Sequence, residues 1–136
     1  LINFYNLNKS VTWAGPLYDK VKWHALLAAH VFCLPSHQEN FGIAVAEALS
    51  AKKPVIITKK VNIHKKIKNN SAGIITNNNL ISFTEGLNKF LRLSKNEYQK
   101  YSINAYKCFL KNYQIEPIAK NLAQYIRKNL NKYGNN

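Results

Sequence analysis

Two glutamates, Glu39 and Glu47, stand in the stretch LPSHQENFGIAVAEAL at residues 34–49. The chain has only six acidic residues against twenty basic ones, so two carboxylates in a largely apolar window need an explanation. An ionised carboxylate accepts hydrogen bonds and can hold two hydroxyl groups at once. The ordinary alternative is surface charge at the start of a helix, where glutamate is favoured electrostatically. The first interpretation predicts that the pair binds the hydroxyl groups of a sugar.

The residues between the glutamates predict a helix that starts soon after a strand. Residues 31–34 form a short apolar run that Pro35 ends, and the helical pattern begins near Phe41. A helix N-terminus presents free backbone N–H groups and a partial positive charge. Gly42 would let a phosphate come close to this backbone. A diphosphate at the helix start, with hydroxyl groups on either side, describes a nucleotide sugar.

Short β-prone runs alternate with helical patterns along the first two thirds of the chain. Strands are predicted at 11–13, 31–34, 54–58 and 71–76, the second and third of them fully buried. Helices are predicted at 18–30, 41–51 and 80–93. The lysine-rich segment between the last two strands holds at most a short helix. The asparagines at 77–79 are predicted to make a turn that caps the helix at 80–93. The fold class is therefore α/β, a Rossmann-like parallel sheet with flanking helices. Ligands of such sheets bind at the carboxyl ends of the strands.

Further helices from about Ser94 and about Ile115 predict a helical C-terminus. Pro117 suits the first turn of the last helix. We expect these helices to pack on the sheet or to reach toward something outside the chain. Residues 1–136 are predicted to form a single domain, with the terminal helices at 94–136. The sequence contains no Met, which predicts a piece of a longer protein.

The formal net charge of +14 comes almost entirely from lysine, since only Arg92 and Arg127 are arginines. Lysine spread along the whole chain indicates a compositional bias rather than a surface built for bidentate phosphate contacts, so no nucleic-acid partner is predicted. Peripheral contact with anionic lipid stays open. Because no segment is long and apolar enough to span a membrane, a cytoplasmic protein is predicted, either free or associated with the cytoplasmic face of a membrane. No metal site is predicted, and among the histidines only His37 lies in the loop between the strand and the helix.

Residues 31–57, VFCLPSHQENFGIAVAEALSAKKPVII, resemble the nucleotide-sugar motif of the retaining glycosyltransferases of family 4. The matching positions in order are Pro35-Ser36, Glu39, Phe41-Gly42, Glu47 with the Ala-Leu that follows, and Pro54-Val55-Ile56. The segment from Val11 to His30 and the strand SAGIIT are also similar, so the resemblance covers residues 10–92 well and the terminal helices loosely. It implies the GT-B fold, with this chain as part of the C-terminal, donor-binding domain and the N-terminal acceptor-binding domain missing.

The resemblance also implies a role for each matching residue. Glu39 is implied as the catalytic residue, which contacts the donor sugar or its phosphates near the reacting carbon. Glu47 is implied to hold the ribose hydroxyls. Further donor-binding positions are Ser36, Asn40, Phe41, Gly42 and Ile43, with Gly15 and Leu17 near the base. The donor would be a UDP- or GDP-sugar, transferred with retention of the anomeric configuration and with no cofactor or metal.

Two departures from the family pattern leave an alternative open. Lys52 stands where relatives usually have Gly, which fits only if the backbone there does not need a positive φ. The basic pair that stabilises the leaving diphosphate belongs upstream of this chain, so we expect the chain alone to bind a donor but to be inactive. The alternative is a degenerate, non-catalytic α/β module that serves as an interaction surface.

Overall fold

A computed structural model describes residues 1–133, apart from the side chains of residue 118 and residues 130–133. Within this part of the chain the elements are α1 (Asp19–Ala28), β1 (Phe32–Leu34), α2 (Ile43–Ser50), β2 (Val55–Thr58), α3 (His64–Asn69), β3 (Gly73–Thr76), α4 (Leu80–Leu91), α5 (Lys95–Asn112) and α6 (Ile115–Tyr133). The predicted terminal helices extend to residue 136, and their last three residues lie outside the described range.

The sheet is parallel, with the strand order β1-β2-β3. Val55 of β2 stands opposite Phe32 of β1 and Gly73 of β3. Every residue of β2 is buried, because this strand has a neighbour on both sides and helices on both faces. The predicted α/β class and the parallel sheet with flanking helices are therefore confirmed.

Two of the predicted strands differ from the structure. The strand predicted at 11–13 is wrong: residues 11–18 have no regular element and Trp13 is 84% exposed. A strand requires a neighbour for its backbone hydrogen bonds, and no strand within residues 1–133 pairs with this segment. The predicted full burial of the strand at 31–34 is also wrong. β1 lies at an edge of the sheet, where Cys33 is exposed.

Helix α2 forms the centre of the core because its side chains are small. Its buried residues are Val45, Ala46, Ala48 and Leu49. They belong to one cluster with Val55 and Ile57 of β2 and with Ala105 and Cys108 of α5. Of the terminal helices, α5 packs on α2 and α3. α6 instead exposes apolar side chains, Leu122, Tyr125 and Ile126 among them.

The helix ends show where local sequence decides the fold. Asn79 caps α4 as predicted, since its side chain accepts the Ser82 N–H at 2.8 Å. α2 begins at Ile43 rather than at the predicted Phe41, because Gly42 takes φ 72° and ends the preceding turn. After α2, Lys52 takes φ 62°, so the condition under which a lysine fits this position without strain, a backbone that needs no positive φ, is not met.

Candidate functional site

The loop after β1 is held at the carboxyl end of the sheet by β2. Thr58, the last and almost fully buried residue of β2, donates its hydroxyl to the Ser36 carbonyl at 2.6 Å. The Ser36 hydroxyl donates to the Gln38 carbonyl at 2.9 Å, inside the loop itself. Ser36 therefore has a structural role in fixing the loop. Its predicted contact with a donor stays a prediction.

Glu39 is fixed through both its backbone and its side chain. Its N–H donates to the Lys60 carbonyl at 3.2 Å, and its carbonyl accepts the Asn62 N–H at 3.1 Å, which makes an isolated parallel bridge to the segment after β2. Its carboxylate Oε1 accepts the Gly42 N–H at 3.3 Å. A carboxylate at a helix N-terminus is stabilised by the partial positive charge there. The structure thus places Glu39 directly at the start of α2.

Two backbone amides at the start of α2 are free to bind an anion. Gly42 donates to Glu39, and the N–H groups of Val45 and Ala46 both donate to the Gly42 carbonyl. Among the described residues, the N–H groups of Ile43 and Ala44 have no acceptor, and both residues are exposed. If an anion binds at the start of α2 as predicted, these two amides are the backbone groups available to it. The sequence did not single out Ala44, because an amide carries no side-chain signal.

Gly42 is required by its backbone rather than by a close ligand. A Cβ at this position would lie 3.2 Å from Val45 Cγ2 and 3.2 Å from Val61 Cγ1, and φ is 72°. The neighbouring Phe41 is half exposed, and its ring meets the Tyr113 ring edge-on at 5.7 Å. Asn40 is exposed. Of the predicted donor-binding residues 40–43, Gly42 is buried and the other three are exposed.

Tyr113 anchors this turn to the end of α5. The residue is buried, and among the described residues its hydroxyl has no hydrogen-bond partner. Burial, with a smaller contribution from Cys108, raises the pKa of Tyr113 well above its usual range. The Lys66 ammonium lies 5.6 Å from the centre of the ring. The aromatic contact with Phe41 ties the position of the turn to the terminal helices.

Glu47 lies one turn into α2 and forms an ion pair that sequence reasoning missed. Its Oε1 lies 2.6 Å from Lys22 Nζ on α1, and both side chains are partly exposed. The same ammonium lies 5.4 Å from the centre of the Trp23 ring. Because Lys22 is separated from Glu47 by 25 residues, no local pattern indicates this pair. The carboxylate of Glu47 is therefore oriented by α1.

Among the described residues, no hydrogen bond joins Gly15 or Leu17 to the start of α2. Both lie in the irregular segment before α1, and a Cβ at Gly15 would have no neighbouring heavy atom within 4 Å. Leu17 is half-buried and lines a shallow hollow formed only by residues 16–21. Among the described residues, no hydrogen bond joins residues 12–17 to the sheet. The predicted contact of Gly15 and Leu17 with the base stays a prediction.

A second hollow opens at the carboxyl ends of the three strands. The amide Nδ2 of Asn78, after β3, lies 2.8 Å from His37 Nδ1 in the loop after β1. The hollow is lined by Pro35, His37, Thr58, Asn78, Asn79, Leu80 and Phe83. His37, which the sequence placed in the motif loop, thus joins two strand ends beside the Glu39 loop.

Neither a cluster of metal-ligating side chains nor a membrane-spanning helix is present within residues 1–133. No three His, Cys, Asp or Glu side chains within residues 1–133 lie together as a set of metal ligands would. No helix in the same range is long and apolar enough to cross a membrane.

The sequence matches a known family over most of its length. A model of the family described as glycosyl transferases group 1 matches residues 1–108. The chain is also 33% identical over 98 residues to a protein of Thermosipho melanesiensis named as a probable sucrose-phosphate synthase. That match covers 72% of this chain and 22% of the relative. The chain therefore spans about a fifth of the length of this curated relative.

Two solved structures share the arrangement of strands and helices. Sucrose-phosphate synthase from Thermosynechococcus elongatus aligns with a TM-score of 0.81 and 21% identity, over 96% of this chain and 33% of that one. The C-terminal domain of a glycosyl transferase group 1 family protein (LpcC) from Francisella tularensis aligns with a TM-score of 0.70 and 23% identity, over 85% of this chain and 60% of that one. At these identities the likeness shows the fold alone.

Proposed function

The chain belongs to the group 1 glycosyl transferases, and we propose that it is the donor-binding half of a retaining enzyme of family 4. In this proposal the enzyme transfers a sugar from a nucleotide-sugar donor to an acceptor. The acceptor-binding domain belongs to another part of a longer chain. The observation that carries the proposal is the placement of Glu39 and Glu47 on either side of the start of α2.

The diphosphate of the donor binds at the start of α2 in this proposal. The free N–H groups of Ile43 and Ala44 supply two hydrogen-bond donors, and the helix supplies a partial positive charge. Charge builds up on the diphosphate as the sugar leaves, and fixed dipoles stabilise such charge effectively. The Glu39 carboxylate accepts the Gly42 N–H beside these amides, and in this proposal its second oxygen contacts the donor sugar.

The two carboxylates have different tasks. Glu47 accepts hydrogen bonds from the ribose hydroxyls, since its side chain is held by Lys22 and partly exposed. Glu39 is the catalytic residue, which contacts the donor sugar near the reacting carbon. Because Glu39 is anchored by its backbone bridge to Val61, the position of its carboxylate is defined before the donor binds. Such positioning lowers the entropic cost of reaching the transition state.

The departure at Lys52 does not favour the non-catalytic alternative. Lys52 adopts the left-handed conformation that a glycine would adopt there, and its N–H bonds the Leu49 carbonyl at 3.0 Å. The path of the backbone after α2 is therefore compatible with a lysine. The substitution changes stability more than it changes the site.

Binding of a nucleotide sugar tests the proposal directly. We expect calorimetry on the protein in its full-length form to detect one site for a UDP- or GDP-sugar, and Glu47→Ala to weaken it about tenfold or more, as removal of a charged hydrogen-bond acceptor does. Glu85→Ala, which removes an exposed carboxylate on α4, is the matched control and should leave the affinity unchanged. Equal affinity in the Glu47→Ala variant would contradict the ribose assignment. Failure of every nucleotide sugar to bind would contradict the donor-binding role itself.

The names of the relatives suggest where to look for a product. Two of the similar proteins are named as sucrose-phosphate synthases, one of them as probable. We therefore propose sucrose phosphate as the first product to assay with the full-length protein, followed by products of other donors. Retention is read from the anomeric coupling constant of the newly formed product by NMR. An inverted configuration would contradict assignment to the retaining family.

A further inference from the structure

A separate hollow of the described structure lies away from the start of α2, along the outer edge of β3. It has a volume of about 580 Å³. α3 and α5, which pack together, contribute residues on one side, α4 contributes Lys89 on the other, and the backbone of β3 forms the floor. The lining residues are Lys59, His64, Lys65, Lys68, Asn69, Ser71, Gly73, Ile74, Ile75, Lys89 and Tyr101. We call this hollow the β3 groove.

The floor of the β3 groove carries unpaired backbone groups. The carbonyls of Ala72 and Thr76 accept N–H groups from β2, at 3.4 Å from Val55 and 2.9 Å from Lys59. In a parallel pair, alternate residues turn their N–H and C=O to opposite sides. Gly73 and Ile75 therefore direct theirs away from β2. No strand within residues 1–133 pairs with this side of β3.

The walls of the groove are strongly basic. Lys65 and Lys68 extend from α3, Lys59 follows β2 and Lys89 lies near the end of α4. No carboxylate lines the groove. The ion pair found among the described side chains is that of Lys22 with Glu47, so these four lysines are not neutralised by a described acidic residue. The groove thus combines free backbone hydrogen-bonding groups with uncompensated positive charge on both sides.

We propose that the β3 groove binds an extended, acidic polypeptide segment, which adds to the sheet as a strand beside β3. The added backbone bonds the outward groups of Gly73 and Ile75, and its acidic side chains, which neighbouring positions direct to opposite faces, meet the lysines on the two walls. Both features of the groove are used only by a ligand that has a peptide backbone as well as negative charge. A nucleic acid or a free polyphosphate would satisfy the lysines and leave the strand edge unpaired.

A matched pair of peptides separates strand addition from simple charge attraction. The first is a capped peptide of Glu-Glu-Val-Val repeats, which places glutamates on both faces of a strand; the second has the same sequence with every amide N-methylated. We expect the first to bind the full-length protein and the second to bind about tenfold more weakly or not at all, since methylation removes the backbone donors from both edges and keeps the charge. Equal binding of the two peptides would overturn the proposal.

Hydrogen exchange reports the contact at individual residues. Binding of the first peptide should slow exchange of the Gly73 and Ile75 amides, while amides that already bond within the sheet should change little. Tripolyphosphate and a DNA duplex are the non-peptide probes. If either matches the affinity of the peptide, or if the peptide binds without protecting these two amides, the groove is a plain anion site and the proposal fails.

Charge reversal tests the walls of the groove. Lys65→Glu with Lys68→Glu should weaken the peptide about tenfold or more, whereas Lys107→Glu with Lys111→Glu, the same charge change on exposed positions of α5, should change affinity less than about twofold. Circular dichroism establishes that each variant is folded, and Lys89→Gln is the milder variant if the first double substitution unfolds the chain. Absence of peptide binding at low salt would show that the lysines only keep the open edge from pairing, which would also overturn the proposal.

Discussion

The Lys22 ammonium and the Glu47 carboxylate are joined across two helices, with Nζ 2.6 Å from Oε1. The side chains are 34% and 24% exposed, respectively, so water screens the pair and it contributes at most about 0.2–1 kcal/mol to stability. Its main effect is therefore on orientation. Lys22 holds Oε1 of Glu47. Oε2 has no described donor, so it is free to accept a hydrogen bond from a hydroxyl group.

Lys22→Met should weaken binding of a nucleotide sugar about threefold to fivefold, because Glu47 loses the partner that orients it while the apolar part of the side chain is kept. The effect should be smaller than that of Glu47→Gln, which weakens the hydrogen-bond acceptor itself. Calorimetry on the full-length variants measures both. Tighter binding in the Lys22→Met variant would instead show that lysine and ligand compete for the same carboxylate.

Glu39 has two roles that substitution can separate. Glu39→Gln keeps an oxygen that can accept the Gly42 N–H, so stability should fall by no more than about 0.5 kcal/mol, while turnover of the full-length enzyme should fall at least about a hundredfold. Glu39→Ala should lose the cap as well, about 1 kcal/mol. Urea unfolding and initial rates are the two measurements. Full activity in the Glu39→Gln variant would contradict the catalytic role and show that Glu39 serves only to cap α2.

The sequence predicted the parts of the fold that depend on local patterns. β2 is an unbroken apolar run because it is buried on both faces, and Asn79 caps α4 through its own side chain. The segment at 11–13 has the composition of a strand, but composition does not provide the neighbour that a strand needs. Exposure of Cys33 in β1 has the same cause, because burial of an edge depends on what lies beyond it.

In the candidate site, too, only the features that depend on local sequence could be predicted. The motif placed Glu39, Gly42 and Glu47 around one helix start, and in the structure Glu39 bonds the Gly42 N–H while Glu47 lies one turn into α2. Lys22 could not be foreseen, since it reaches Glu47 from a different helix 25 residues away. The bond between His37 and Asn78 also depends on two strand ends that meet only in the folded sheet. Long-range pairs are set by topology, which no local spacing reveals.

Lys52 stores backbone strain that glycine would release. It occupies the position after the α2 cap with φ 62°, and its ammonium lies 5.3 Å from the centre of the Tyr106 ring. Lys52→Gly and Lys52→Ala both lose the ring contact, but only glycine adopts this φ freely. We expect the glycine variant to be about 1 kcal/mol more stable than the alanine variant. Urea unfolding gives the difference, and equal stabilities would mean that the position carries no strain.

Removal of the Tyr113 hydroxyl should not harm the protein. The hydroxyl is buried without a described hydrogen-bond partner, which is costly for a polar group, while the ring packs against Phe41. Tyr113→Phe keeps the ring, so we expect stability to stay equal or to rise by up to about 1 kcal/mol. Tyr113→Leu, which loses the aromatic contact, should be less stable than Tyr113→Phe. Thermal unfolding measures both, and a clear loss in Tyr113→Phe would show that the hydroxyl is hydrogen-bonded in solution.

The start of α5 should give the stability of the protein a defined dependence on pH. Ser94 and Glu97 form a capping box, and the hydrogen bond from the Ser94 side chain is the main cause that lowers the pKa of Glu97. A carboxyl with a lowered pKa in the folded state stabilises the fold above its unfolded pKa, about 4.3. That contribution is lost as pH falls through the folded pKa.

Ser94→Ala removes the main cause of this linkage, the side-chain hydrogen bond, and keeps the backbone N–H that also bonds Glu97. We expect the variant to unfold at a lower urea concentration than the parent protein at pH 7. The difference between their midpoint urea concentrations should become smaller as pH falls below about 4. Ser94→Thr, which can form the same cap, should follow the parent protein at every pH. A gap that stays constant from pH 7 to pH 3 would show that the serine acts without the charge of Glu97.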